Sequence, residues 1–217
     1  MYKITFELDS SVYFDERLNF DSLITWAYCK HVDGEVVQTP RYDFDYANSI
    51  DEELIPLKYE NGVAVASAMY FDKEDVLEWV DYWRKSWCRR YTHFVDMESG
   101  KEINVSSGEF RSYEVPMNLK LVDKVWFYFD TDNLEFLEEL IKHIHSLGKK
   151  RNRGKGRVKN YVIEKIDMNF FDEVRRPIPI RLIDMKKYEG KEFEIRQSTF
   201  KPPYWNYSKL ELCVYPI

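Results

Sequence analysis

The chain opens on strict alternation. Tyr2, Ile4, Phe6 and Leu8 are apolar and Lys3, Thr5, Glu7 and Asp9 polar, a period of two that predicts a half-buried β-strand. After a turn-like Asp9-Ser-Ser the period changes. Leu23, Ile24, Ala27, Tyr28 and His31 recur at helical spacing, with Asn19 or Asp21 as cap and Gly34 as stop. The apolar run 63–71, bounded by Asn61-Gly62, predicts a buried strand. Asp72 then reads as the cap of a helix in which Val76, Val80, Trp83 and Trp87 form one stripe. Residues 95–117 read as a hairpin-rich segment with turns at Ser99-Gly100 and Ser107-Gly108. Val125, Phe127 and Phe129 alternate with Trp126 and Tyr128, which predicts a strand apolar on both faces. Asp130-Thr-Asp-Asn133 is a cap cluster for a helix burying Leu134, Leu137, Leu140, Ile141, Ile144 and Leu147. Its acids sit early and its Lys142, His143 and His145 late, as the helix dipole favours. Gly148 ends that helix in the left-handed position, and a strand follows from Val158 to about Asp167.

This is an α+β order, βαββαβ with an insertion in the middle, and it matches the ferredoxin-like or RRM-like plan. From about residue 170 to 217 the chain carries Arg176-Pro-Ile-Pro-Ile180, Lys201-Pro-Pro-Tyr-Trp205 and a final strand near 210–215. These read as a β-rich extension folded back on a single domain covering 1–217.

Composition narrows the class. A chain of 217 residues can bury one full core with room for an insertion, and 44% hydrophobic with 32% charged content excludes a disordered protein. The aromatic share of 17% leaves two uses for the rings, core packing and base stacking. Cys29, Cys88 and Cys213 are isolated, so neither a zinc site nor a disulfide framework is expected. The start lacks the apolar run of a signal peptide, and the longest uncharged apolar stretch, 62–71, is too short to span a bilayer. A cytoplasmic protein without membrane contact is the expectation. Residues 33–60 carry eight acids against two bases, yet Asp43, Asp45, Asp51, Glu52 and Glu53 match no calcium-loop spacing. A solvated acidic loop is expected there, with docking to a basic partner protein the second reading.

Against a formal net charge of −6, one stretch is strongly basic: Leu147-Gly-Lys-Lys-Arg-Asn-Arg-Gly-Lys-Gly-Arg-Val158. A nucleotide-binding P-loop is excluded, because the order here is helix, loop, strand and no Ser or Thr follows a lysine. What remains is a loop whose Gly148, Gly154 and Gly156 free the backbone to approach phosphates. Lys149, Lys150, Arg151, Arg153, Lys155 and Arg157 would neutralise the charge. Such a loop follows a nucleic-acid backbone and reads little sequence. The plainer alternative is a solvated charge run. Residues 82–95 interleave Arg84, Lys85, Arg89 and Arg90 with five rings and no acid, which suits single-stranded nucleic acid. A helix C-terminus running onto core aromatics is the competing reading.

The glycine-rich basic loop, placed between the second helix and the last strand, resembles that of the RAMP superfamily of CRISPR-associated proteins. Four further stretches resemble one branch of it. They are Ser10-Ser-Val-Tyr-Phe-Asp-Glu-Arg-Leu-Asn-Phe-Asp-Ser-Leu23, Ser107-Gly-Glu-Phe-Arg-Ser-Tyr-Glu-Val-Pro116, Arg176-Pro-Ile-Pro-Ile180 and Pro202-Pro-Tyr-Trp205. Together they are similar to the subunit of type IV effector complexes that holds the 5′ handle of the guide RNA. Where many such loops have an aromatic between the last two glycines, this chain has Lys155.

The resemblance implies a non-catalytic antiviral-defence subunit with no cofactor and no metal. It would grip the 5′ handle and cap a filament of backbone subunits beside a large subunit, touching target nucleic acid only indirectly. It further implies that the insertion at about 84–115 is a thumb across the RNA, with Arg89, Arg90 and Arg111 on it. Gly148 to Arg157 would be the second half of the grip, with Tyr204 and Trp205 packed or stacked nearby. Two alternatives stand beside it. Some relatives in the superfamily cut guide-RNA precursors without metal, which makes His31 a candidate general base, with His93 as second choice. A free-standing RRM-like protein is the other, though only Trp126 and Tyr128 stand in for its aromatic signature.

Overall fold

A computed structural model describes residues 1–13, 18–33, 51–72, 74, 76–87, 104–107, 110–149, 151–167, 176–183, 192–202, 204 and 207–216. The calls on Arg89, Arg90, His93, Lys150, Trp205, Asp43 and Asp45, and the turn at Ser99-Gly100, lie outside the described residues.

The architecture of the described residues is mixed α+β, with two α-helices and small antiparallel sheets. Strand β1 (Tyr2–Leu8) follows the opening alternation, and it buries Ile4, Phe6 and Leu8. Helix α1 (Phe20–Asp33) comes next. Short strands β2 (Tyr59–Glu60) and β3 (Val63–Ala64) pair around Asn61 and Gly62, both at positive φ. Strands β4 (Leu77–Lys85) and β5 (Tyr113–Leu121) form a two-stranded ribbon. Then come β6 (Lys124–Phe129), α2 (Leu134–Ile141) and β7 (Val158–Lys165). The C-terminal part contributes β8 (Ile178–Pro179), β9 (Phe193–Thr199) and β10 (Leu210–Pro216), in the order β8-β10-β9.

β1 lies between β6 and β7, antiparallel to both, with Ile4 opposite Phe127 and Ile163. The far side of β6 is bridged by the segment after β3, at Ala66↔Phe129 and Tyr70↔Trp126. That run was expected as one strand over 63–71. It is irregular because it serves two neighbours: Ser67 N–H donates to Tyr128 O, while Ser67 O accepts from Phe20 N–H and Met69 N–H donates to Leu18 O. Both helices cover the inner face, where Ile24, Ala27, Leu137, Leu140 and Ile141 meet Ile4, Phe6, Phe127 and Phe129. Tyr28 of α1 meets Phe136 of α2 edge to face at 6.5 Å. A second cluster of Val63, Phe200, Cys213 and Tyr215 ties the C-terminal sheet to β3.

Three further expectations are corrected. The helix expected after Asp72 is a strand. Asp72 accepts from Glu74 N–H in a tight turn, and all nine residues of β4 pair with β5, from Leu77↔Leu121 to Lys85↔Tyr113. Its Leu, Trp, Val and Tyr side chains favour a pleated surface, and a long-range partner decides between the two periods. The helix expected to reach Leu147 stops at Ile141. Ile144 and Leu147 stay buried, but Ser146 pairs with Arg157 and draws residues 144–147 out of the helix. Gly148 keeps its positive φ of 77°, as part of the loop and not as a helix cap. Lastly, the caps of α1 are used differently. The buried Asn19 Oδ1 has no partner among the described residues, and the Asp21 carboxylate turns to Arg176 and Tyr204. No helix among the described residues is long and apolar enough to cross a membrane.

Candidate functional site

The basic loop is seated by its backbone. Gly156 N–H donates to Ser11 O at 2.8 Å, Lys149 N–H to Tyr13 O at 2.6 Å, and Leu147 N–H to Gly156 O at 2.8 Å. Arg157 N–H donates to Ser10 Oγ at 2.8 Å, and Asp9 N–H to Arg157 O at 3.1 Å. On its other side the same N-terminal segment is bonded to the ribbon, Val12 and Lys120 exchanging both backbone hydrogen bonds at 2.9 and 3.0 Å. Residues 9–13 are therefore a splint between loop and ribbon. This gives Ser10-Ser-Val-Tyr13 a structural reason to be there.

The glycines divide by role. A Cβ on Gly156 would stand 2.0 Å from Leu147 O, and one on Gly148 would stand 2.4 Å from Tyr13 O. Both are backbone atoms, so these two glycines allow close approach of chain to chain. Gly154, at φ 73°, has open space around it and supplies only the turn.

The charges divide as well. Arg157 is held by Asp9, its Nε at 2.8 Å from both carboxylate oxygens, and the pairing pulls the Asp9 carboxyl below its usual 3.8. Lys155 is half-buried, 3.4 Å from Ser11 Oγ and 3.9 Å from the Asp81 carboxylate of β4. Arg151 and Arg153 are exposed and make no ion pair with a described residue. Each lies over an indole instead: Arg151 over Trp26 of α1 at 4.4 Å, Arg153 over Trp83 of β4 at 4.7 Å. Lys30, one turn beyond Trp26, reaches the same ring at 5.4 Å, and Lys149 lies 5.8 Å from the ring of Tyr13. The site is thus a basic loop spanning from α1 to the ribbon, with a guanidinium over an indole at each end. Arg111 is exposed just before β5.

Trp26, Tyr13 and Asp9 were absent from the expected site. Trp26 had a local signal, since a ring and a cation four residues apart on a helix share a face. Tyr13 and Asp9 had none, because only tertiary contact brings them to the loop. From the two C-terminal stretches, Arg176 and Tyr204 serve the core. Arg176 is fully buried, with Nη1 donating to Ala64 O and Ala66 O at 2.7 and 2.8 Å and Nη2 to Asp21 Oδ2 and Phe200 O at 3.2 and 2.6 Å. Tyr204 O–H donates to Asp21 at 2.8 Å, and burial holds that phenol well above its ordinary pKa. Tyr204 is thus tied to the Asp21–Arg176 pair by its hydroxyl. In the acidic stretch, Asp51 caps a turn of 3-10 helix at Glu52–Leu54 and Glu52 pairs with Lys201. Among the described residues no cluster of three or more His, Cys, Asp or Glu could hold a metal.

Comparison with known proteins adds the family. No curated protein matches the chain. The family model described as CRISPR type IV associated protein Csf3 matches residues 1–216. With that match running from the first residue to the last but one, the chain belongs to the Csf3 family of CRISPR type IV associated proteins.

Proposed function

We propose that the chain is the RNA-binding subunit of a type IV CRISPR ribonucleoprotein. In this reading it grips the 5′ handle of the guide RNA between the basic loop and the β4–β5 ribbon and caps the filament of backbone subunits, without cutting RNA. The observation that carries the reading is the pair of cation–π contacts, Arg151 over Trp26 and Arg153 over Trp83. A guanidinium over an indole keeps N–H donors for phosphate, and indole rings beside a basic loop are surfaces on which unstacked bases stack. Base stacking thus enters from α1 and β4, in place of the loop aromatic for which Lys155 substitutes. The ribbon takes the part of the thumb, with Arg111 at its edge. The ferredoxin-like plan belongs to the same proposal. It is supported by the order β7-β1-β6, by the bridges from 66–70 to β6, and by both helices on one face. Family membership favours a complex subunit over a free-standing RRM-like protein.

Binding of a repeat-containing RNA across a salt series tests it. Replacing both Arg151 and Arg153 with Ala is expected to weaken binding and to shallow the log–log salt slope by about 0.7 per lost contact. Trp26→Ala and Trp83→Ala are each expected to cost about 1–3 kcal/mol of binding with the slope nearly unchanged. Affinity and slope that stay at the parent values in all these variants would reject the interface.

One contact favours a second reading, a metal-independent endoribonuclease with His31 as general base. His31 Nδ1 lies 3.1 Å from His143 Nε2, which gives the base an orienting partner. In EDTA, the binding reading expects repeat RNA to stay intact for hours. Cleavage that His31→Ala abolishes would replace it with the nuclease.

A further inference from the structure

We infer that His31 and His143 form a two-nitrogen site for a borderline transition-metal ion, of the Zn2+ or Ni2+ kind, that clasps the C-terminal ends of α1 and α2. His31 lies in the last turn of α1, and His143 follows α2 by two residues. The rings are 5.3 Å apart, inclined by 68°, with Nδ1 and Nε2 facing each other at 3.1 Å. Two neutral imidazoles so placed either share one proton or turn both lone pairs on a common cation. With metal–nitrogen bonds of about 2.0–2.1 Å, a 3.1 Å separation subtends about 95–100° at the ion. That angle falls between the octahedral and tetrahedral values, within reach of a small rotation of two rings that solvent can reach. Phe136 meets the His31 ring edge to face at 5.9 Å and limits its freedom.

The surroundings select the ion. Glu139, one turn before His143, is held by Lys142. Lys30 and Lys142 add positive charge. An ion bound mainly by charge, such as Mg2+, is disfavoured there, whereas imidazole nitrogen donors retain Zn2+ and Ni2+. With two protein ligands and the rest water, the ion exchanges freely. Its effect is to staple two helix ends that already meet where Phe136 packs against Tyr28 and His31. The inference does not rest on RNA binding.

The test is a thermal-melt and calorimetric titration of the full, untagged chain, stripped with EDTA and dialysed, then given ZnCl2, NiCl2 or MgCl2. One equivalent of Zn2+ or Ni2+ is expected to bind and raise Tm, and Mg2+ is expected to do neither. His31→Ala and His143→Ala should each lose the rise and weaken binding by tenfold or more, about 1.4 kcal/mol, whereas His145→Ala should keep both. Metal-free melts of the two variants check that each still folds. A parent without a metal-dependent rise, or a rise that survives in either single variant, overturns the site.

Discussion

Replacing Arg176 with Ala is expected to cost about 3–5 kcal/mol of folding stability, which for a chain of this size lowers Tm by roughly 6–20 °C. The guanidinium has no exposed surface, and its donors end on three separate parts of the chain. These are Asp21 at the start of α1, the carbonyls of Ala64 and Ala66, and Phe200 O with the Tyr204 hydroxyl. Removing it strands the carboxylate of Asp21, itself fully buried, and leaves three carbonyls without that donor. An uncompensated buried charge is far costlier than the pair was favourable. The loss would be a large share of a typical total of about 5–15 kcal/mol. Tyr204→Phe leaves the ion pair and removes one donor to Asp21, so about 1–3 kcal/mol is expected. Thermal and denaturant melts of both variants decide the matter, and an Arg176→Ala protein melting within about 2 °C of the parent would show that the network carries little.

Gly156→Ala is the second large effect. A methyl group there would stand 2.0 Å from Leu147 O at a backbone φ of 66°. Left-handed strain of about 1–2 kcal/mol adds to overpacking of about 1–3 kcal/mol, and the contact is backbone, so no side chain can swing aside. The expected result is loss of the Ser146↔Arg157 bridge and of the seating on Ser11, with faster amide exchange at Leu147 and Gly156. Gly154→Ala has open space and should show the smaller strain alone. If both substitutions move stability and exchange equally, the loop is not pinned by close approach at Gly156.

Alternation and helical spacing located β1, α1 and β6, because each follows a period that one buried face imposes on local sequence. The same logic misplaced β4. An apolar stripe at helical spacing also fits a strand of Trp, Val and Tyr, and the deciding partner lies far along the chain, Arg84 pairing with Glu114 thirty positions away. It also ran α2 too far, since Ile144 and Leu147 are buried either way and only the pairing of Ser146 with Arg157 shows how.

The loop divides in the same manner. Its positive charge and the placing of its glycines are local properties, written in residues 147–158 and recoverable from them alone. Which cation does what is not. Arg157 is neutralised by Asp9, 148 positions away, and Lys155 is drawn toward Ser11 and Asp81. Arg151 and Arg153 are left on the rings of Trp26 and Trp83. Arg176 shows the extreme case, an arginine that any local reading would leave in water but that Asp21, 155 positions away, holds in the core. Periodicity records which face of a segment is buried. The partner of a charge is fixed only when distant segments meet, because desolvation and pairing act between neighbours in space, not along the chain.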